Sequence, residues 1–287
     1  MNYVVAVSGG VDSVVLLDIL ATKSPKANYK LIVAHVDHGI RPDSAADARF
    51  VEALAGHYGL PYVICRLELG TEASEDWARQ ARYRFLIEQA QKHKAVVVTA
   101  HHEDDLIGSV AINLIRGTGW RGLNVMSRAQ LSRPLLGWTK RQIYNYALRS
   151  KLEWVEDESN TSSRYLRNQL RAKVINLPAE TRKKLRQLRY SQKQLAHEID
   201  TSSAAIIEQV GGSRYFYTMI DEQVGIELLR SDLAKRSSVR PTYITAQRAL
   251  TAIKTARHAA VHEISGRLRL RFDKRHFIVE DYSEVVE

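Results

Sequence analysis

The first 150 residues alternate short apolar runs with longer amphipathic stretches, and no other feature restricts the fold as much. Tyr3–Val7, Leu31–Ala34, Tyr62–Ile64 and Ala95–Thr99 read as strands. Each is short and almost wholly apolar, as strands buried on both faces are. Ser13–Ala21, Ala45–His57, Asp76–Lys92 and Asp104–Arg116 read as helices, with Val14, Leu17 and Leu20 facing inward in the first. This order predicts an α/β fold: a parallel sheet with helices on both faces.

After Leu136 the pattern changes. Thr139 opens a helix through Leu148, and Glu156–Asn160 is a polar loop. Leu177-Pro178 breaks the helical segments that follow, because Pro removes a donor and biases its predecessor away from helix. Residues 211–287 read as short helices ending in a β-hairpin, Arg267–Phe272 turned at Asp273-Lys274 into Phe277–Val279. A length of 287 residues suits about two domains. The expected division is 1–185 and a smaller, mainly helical and basic part over 186–287.

Charge is concentrated. The net charge is +10, and residues 164–194 carry Arg164, Arg167, Arg171, Lys173, Arg182, Lys183, Lys184, Arg186, Arg189 and Lys193 against Glu180 alone. Such a field attracts nucleic acid or an acidic membrane surface; a solvated helix face is the plainer alternative. Arg182, Arg186, Arg189 and Lys193 repeat at i, i+4, i+7 and i+11, so they share one face. Cys65 is the single cysteine, which excludes an intramolecular disulfide and a Cys-rich zinc or iron–sulfur site. No apolar run approaches the ~18–20 residues of a membrane span. The first basic residue is Lys23, which argues against a secretory signal. The expectation is a soluble, cytoplasmic protein with no membrane partner.

The strongest local signal is Ser8-Gly9-Gly10-Val11-Asp12-Ser13, directly after the first strand and opening the first helix. Glycines let the backbone approach an anion closely, and free N–H groups at a helix start point at it. Ser8 and Ser13 can add hydroxyls. Asp12 would repel a phosphate unless a hard cation such as Mg²⁺ bridges the two. A plain glycine-containing turn, with Asp12 stabilising the helix start, is the structural alternative. Neither the Walker lysine nor a GxGxxG pattern is present.

Further motifs follow in order. They are His35-Val36-Asp37-His38-Gly39-Ile40-Arg41, Glu75 to Tyr83 with Arg79 and Arg82, and Thr99-Ala100-His101-His102-Glu103-Asp104-Asp105. Then come Arg116-Gly117-Thr118-Gly119, Arg133-Pro134-Leu135-Leu136, Glu156–Asn160 and Arg167–Arg171. The glycine loop resembles the PP-loop of N-type ATP pyrophosphatases. The whole series, over about residues 1–175, resembles the tRNA(Ile)-lysidine synthetase family in its short form.

The resemblance implies a Rossmann-like sheet of PP-loop ATPase type and a basic, tRNA-binding C-terminal part. It implies a ligase that uses ATP and Mg²⁺ to adenylate the C2 oxygen of the wobble cytidine in a CAU-anticodon isoleucine tRNA. L-lysine then displaces AMP. Carried over by motif, Ser8, Gly9, Gly10, Val11, Asp12, Ser13, Ala34, His35, Arg116 and Gly117 hold the nucleotide, and Asp12 meets Mg²⁺. Asp37, Arg79, His101 and Asp105 serve the chemistry, Asp105 toward the lysine ammonium. Arg41, Arg82, Asp104, Asn160, Arg167, Arg171, Arg182 and Arg186 face the substrate or tRNA. Members of that family often dimerise, so a homodimer is the expectation.

Two positions depart from the family. Gly108 stands where a glutamate is usual, three residues beyond Asp105 and therefore on its helix face; Ser162 replaces a frequent acidic residue. Gly108 leaves three readings open: lysine transfer, transfer of a different nucleophile, or nucleotide and RNA binding without catalysis. A tRNA thiolase on the same loop would relay sulfur through cysteines, which Cys65 alone does not offer. An amidotransferase-coupled synthetase would not need the tRNA-directed motifs.

Overall fold

In this computed structural model the apolar runs become strands β1 (Asn2–Ala6), β2 (Lys30–Asp37), β3 (Tyr62–Arg66) and β4 (Ala95–Val98). A two-residue strand, β5 (Leu131–Ser132), completes a five-stranded sheet in the order β3-β2-β1-β4-β5. Every pairing is parallel, with Val4 of β1 set between Ile32 and Val97. The structure describes residues 1–27, 29–37, 39, 44–67, 75–127, 130–156, 174, 176–236, 241–265 and 268–281. The expected sites Arg41, Asn160, Arg167 and Arg171 lie outside them.

The strand pleat explains why the runs are apolar throughout. Successive side chains point to opposite faces, and here both faces are covered. Val5, Leu31, Val33 and Val98 pack with Val15, Leu16 and Leu17 of α1 (Val11–Ala27), Val51 of α2 (Ser44–His57) and Ile143 of α6 (Lys140–Arg149). Their alternates Val4, Ile32, Ala34 and Val97 pack with Tyr83, Leu86 and Ala90 of α3 (Glu75–Lys92). Helices α4 (Glu103–Ile115) and α5 (Trp120–Leu123) follow β4. Thr139 caps α6, its hydroxyl accepting from the Gln142 N–H at 3.2 Å.

The chain divides into two compact units, Met1–Gln192 and Lys193–Glu287, with the division inside α7 (Ala179–Val210). In the second unit α8 (Arg214–Met219), α9 (Glu222–Arg236) and α10 (Tyr243–Thr255) precede an antiparallel sheet, β6 (Val261–Ser265), β7 (Leu268–Phe272) and β8 (Phe277–Asp281). Tyr217, Ile226, Leu229, Leu250, Ile253, Leu270 and Phe277 are among the residues of its core. The hairpin expected from the sequence is β7–β8. Strand β6 adds to it; its His262 and Glu263 are exposed and hide the strand pattern. No helix among the described residues is long and apolar enough to cross a membrane.

Leu17 is fully buried between α1 and the sheet. Leu17→Ala is expected to cost about 3–4 kcal/mol, the transfer and cavity terms together, read as a lower urea midpoint for the first unit.

Candidate active site

The site grows from the turn between β1 and α1. Val7 N–H donates to the Ala34 carbonyl at 2.9 Å, keeping β1 and β2 together up to the turn. Gly9 has φ +92°, a conformation L side chains rarely adopt. Its carbonyl accepts from Val155 N–H at 3.0 Å. Ser13 is buried and closes the loop. Its hydroxyl donates to the Gly10 carbonyl at 2.9 Å and accepts from Ser8 N–H at 3.1 Å. The Ser13 proton is therefore committed to the loop; Ser8 Oγ lies 3.3 Å from Ser13 Oγ and is the exposed hydroxyl of the pair. Asp12 lies in the first turn of α1, where its Oδ1 is 2.6 Å from Lys140 Nζ.

Asp37 ends β2. Its Oδ1 accepts from Gly39 N–H at 2.9 Å, in a turn that Gly39 makes at φ +63°. His35 is buried on the same strand with Nδ1 2.8 Å from the Val7 carbonyl, so its ring stands beside the start of the glycine loop. Ala34 places its methyl in the core under α3 and its carbonyl on Val7, so any ligand would meet its backbone region alone.

The third part follows β4. Thr99 Oγ1 is 2.9 Å from His101 Nδ1. Burial holds His101 down to about 4, with Arg133, Arg82 and Arg79 adding to the effect and Asp105 opposing it. His101 is thus a neutral imidazole at neutral pH. His102 is 1% exposed, and among the described residues neither ring nitrogen has a hydrogen-bond partner. Its Nε2 is 3.4 Å from Asp105 and 3.8 Å from Asp12, and its Nδ1 is 3.6 Å from Asp104. Asp105 accepts from the His102 backbone N–H at 3.2 Å.

Glu103 and Asp104 are buried carboxylates, and buried charges must be paired. Arg182 of α7 reaches Glu103 at 2.7 Å and also bonds Asp104, while Arg186 bonds the other Glu103 oxygen. Lys140 N–H donates to Asp104 at 2.7 Å. Arg189 donates to the Val125 carbonyl at 3.2 Å. In the arginine stripe Arg182 therefore turns inward and holds the turn together, while Arg186 bonds Glu103 yet stays exposed, as do Lys183, Lys184 and Lys193.

All three parts stand at the carboxyl ends of adjacent strands, β2, β1 and β4. The chain winds outward from β1 to β3, then crosses back to β4 on the other side of β1. Open α/β sheets bind ligands at such a reversal. A family model for the PP-loop domain matches residues 1–178. This chain belongs to the PP-loop family.

Among proteins similar to this PP-loop chain, a tRNA(Ile)-lysidine synthase of Exiguobacterium sibiricum is 39% identical over 184 residues, 62% of the chain. One of Thermotoga maritima is 36% identical over 188 residues, again 62%. The chain spans less than half of either protein, 44% and 45% of their lengths. A U34-tRNA thiolase of Methanococcus maripaludis has the same fold, with a TM-score of 0.53 and 20% identity, covering 68% of this chain and 70% of its own.

The structure brings Ser8–Ser13, His35, Asp37 and His101–Asp105 to one edge, with Arg79 and Arg82 close enough to act on His101. It does not bring Arg116 and Gly117 there. They end α4, about 18 Å along its axis from Asp104 at ~1.5 Å per residue. Sequence reasoning missed Lys140, which bridges Asp12 and Asp104, and missed Arg133 as a neighbour of His101. Lys140 follows a helix cap and carries no motif of its own, so only the packing of α6 on α1 reveals it.

Two outcomes follow from this geometry. Arg182→Met leaves two buried carboxylates without their main partner and is expected to cost about 3–5 kcal/mol in chemical denaturation. The unfolded chain binds a proton on His101 near pH 6.5, the folded chain only near 4. Stability from this group is therefore present above pH 6.5 and is lost as pH falls toward 4. In His101→Gln, unfolding free energy measured across that window should fall less steeply.

Proposed function

We propose that this chain binds ATP at the glycine loop and adenylates the C2 oxygen of the wobble cytidine in a CAU-anticodon isoleucine tRNA. The ε-amine of lysine then attacks C2 and AMP leaves, giving lysidine. The observation that carries this reading is the meeting of the glycine loop, Asp37 and the His101–Asp105 turn at one edge of the sheet. The same stretch of chain is 36–39% identical to proteins named tRNA(Ile)-lysidine synthase.

Each residue has a role its surroundings support. The backbone at Gly9 and Gly10, the start of α1 and the Ser8 hydroxyl bind the phosphates. His35, fixed on Val7, borders the nucleoside. His101 is neutral and can accept a proton, such as the one the amine loses on attack. Asp105 lies at the start of α4, where its carboxylate can hold an ammonium group. Gly108 is one turn further on the same face, and among the described residues the nearest atom to a Cβ there is on Val174 at 3.9 Å. A glycine there adds no side chain of its own beside Asp105.

The donor set fits Mg²⁺ in one manner. No group of three ligating side chains stands ready for a metal among the described residues. Asp12 offers a hard carboxylate oxygen beside the cradle and would hold the ion there. A bound Mg²⁺ would supply positive charge against the pyrophosphate that leaves.

The test uses the full chain, ATP·Mg²⁺ and the tRNA transcript, with and without lysine. Pyrophosphate release and the nucleoside mass at the cytidine are measured. Release that depends on tRNA, and a lysidine mass that depends on lysine, are expected. Adenylated tRNA without lysidine would assign another nucleophile, and no release would remove the ligase reading. Asp105→Asn should raise the lysine KM about tenfold, about 1.4 kcal/mol of lost binding. Gly108→Glu should lower that KM.

A further inference from the structure

Asp12 and Lys140 form a pair that the proposed reaction cannot leave as it stands. Asp12 Oδ1 lies 2.6 Å from Lys140 Nζ, with the two side chains 24% and 35% exposed. The same carboxylate is the hard oxygen donor beside the phosphate cradle, in the first turn of α1. An ammonium on that oxygen competes for it with a divalent cation, because both are positive and both seek the same carboxylate.

The roots of the pair are fixed and its tip is free. Asp12 stands next to Ser13, whose hydroxyl ties Ser8 to Gly10. The other Asp12 oxygen is 3.8 Å from the ring of His102, so a buried side chain lies on that side. Lys140 begins α6, and its backbone N–H donates to Asp104 at 2.7 Å. Asp104 is itself buried and bonded to Arg182. Between that anchored backbone and the ammonium runs a flexible four-carbon stem. A change of its rotamer parts the two charges without moving α1 or α6.

The glycine loop offers the ammonium a second place to go. A triphosphate carries several negative charges. The loop brings N–H groups to it but no basic side chain, since the first basic residue of the chain is Lys23, far along α1. Lys140 comes from 128 residues away and already touches the helix turn that opens the cradle. Arg182, by contrast, is committed to Glu103 and Asp104 with its side chain 11% exposed.

We propose that Lys140 is an exchangeable counter-ion. It holds Asp12 in the free chain. When a triphosphate arrives with a divalent cation, its ammonium moves to the phosphates and releases Asp12 to the cation. The proposal rests on the reading of the glycine loop as an ATP site and deepens it. Its two consequences have opposite signs: without nucleotide Lys140 keeps a cation off Asp12, and with nucleotide it adds a charge-assisted bond to the phosphates. A lysine that only braced the fold would show no such reversal.

The test needs neither tRNA nor lysine. Calorimetry on the full chain measures binding of Mn²⁺ alone, and of the α,β-methylene analogue of ATP with Mg²⁺. The analogue cannot release pyrophosphate, so binding is read without turnover. Lys140→Met should tighten Mn²⁺ binding about threefold to fivefold, the scale of a partly exposed ion pair. It should weaken analogue binding about tenfold, the scale of a hydrogen bond to a charged group. Lys140→Arg keeps the charge and should stay within about threefold of wild type in both. Adding Asp12→Asn to Lys140→Met should abolish the gain in Mn²⁺ affinity. The bond to Asp104 comes from the backbone N–H, so the Lys140 variants keep it and should melt close to the wild-type Tm. Lys184→Met removes an exposed cation of α7 and should change either affinity by less than about twofold.

Mn²⁺ binding no tighter in Lys140→Met than in wild type would overturn the proposal. So would analogue binding as tight as wild type in that variant, or a gain in Mn²⁺ affinity that survives Asp12→Asn. A wild-type chain that binds the analogue but forms no lysidine from ATP, tRNA and lysine removes the ligase reading, while the exchange stands or falls on its own variants. A wild-type chain that does not bind the analogue removes both.

Discussion

Two carboxylates buried at the start of one helix organise this site. Glu103 and Asp104 are almost without solvent, and a buried anion without partners is not tolerated. Their partners come from elsewhere in the first unit: Arg182 and Arg186 from α7, and the Lys140 N–H from α6. Satisfying these two charges therefore fixes where α6 and α7 must pack against α4. Lys140 then reaches Asp12 with its amine, so the same cluster extends to the glycine loop. His102, with Asp12, Asp104 and Asp105 around it, lies at the centre of that arrangement.

This placement separates residues that act from residues that hold. His101 and Asp105 lie beside the buried pair in sequence, yet their surroundings differ. Burial keeps His101 neutral, and nearby guanidinium charges add to the effect. Asp105 accepts from the His102 backbone N–H and is less buried than its two neighbours. Consecutive acidic residues can thus stand in unlike surroundings.

Much of the fold was legible in the chain. Runs such as Tyr3–Val7 and Ala95–Thr99 announce parallel strands, because burial on both faces removes any polar alternation. Strand β5 was hidden: two residues cannot display a period. Strand β6 was hidden because one face of its sheet is exposed and polar. The glycine loop, Asp37 and the His101–Asp105 turn were legible as motifs. The meaning of the arginine repeat in α7 was not. Helical spacing places Arg182, Arg186 and Arg189 on one face, but spacing cannot say whether that face meets water or Glu103.

The sequence by itself determined the parallel sheet, the loop that breaks β1 into α1, and the residue types gathered after each strand. These depend on local rules: the pleat, the freedom of glycine and the free N–H groups of a helix start. Tertiary structure alone decided which charges are satisfied within the protein and which remain for a ligand. Ser13 became a brace, Lys140 a bridge and Arg182 a clamp, while Lys183 and Lys184 on the same helix as Arg182 stayed exposed. A charge has the same sign wherever it stands in a sequence; its burial and its neighbours exist only once distant segments have packed.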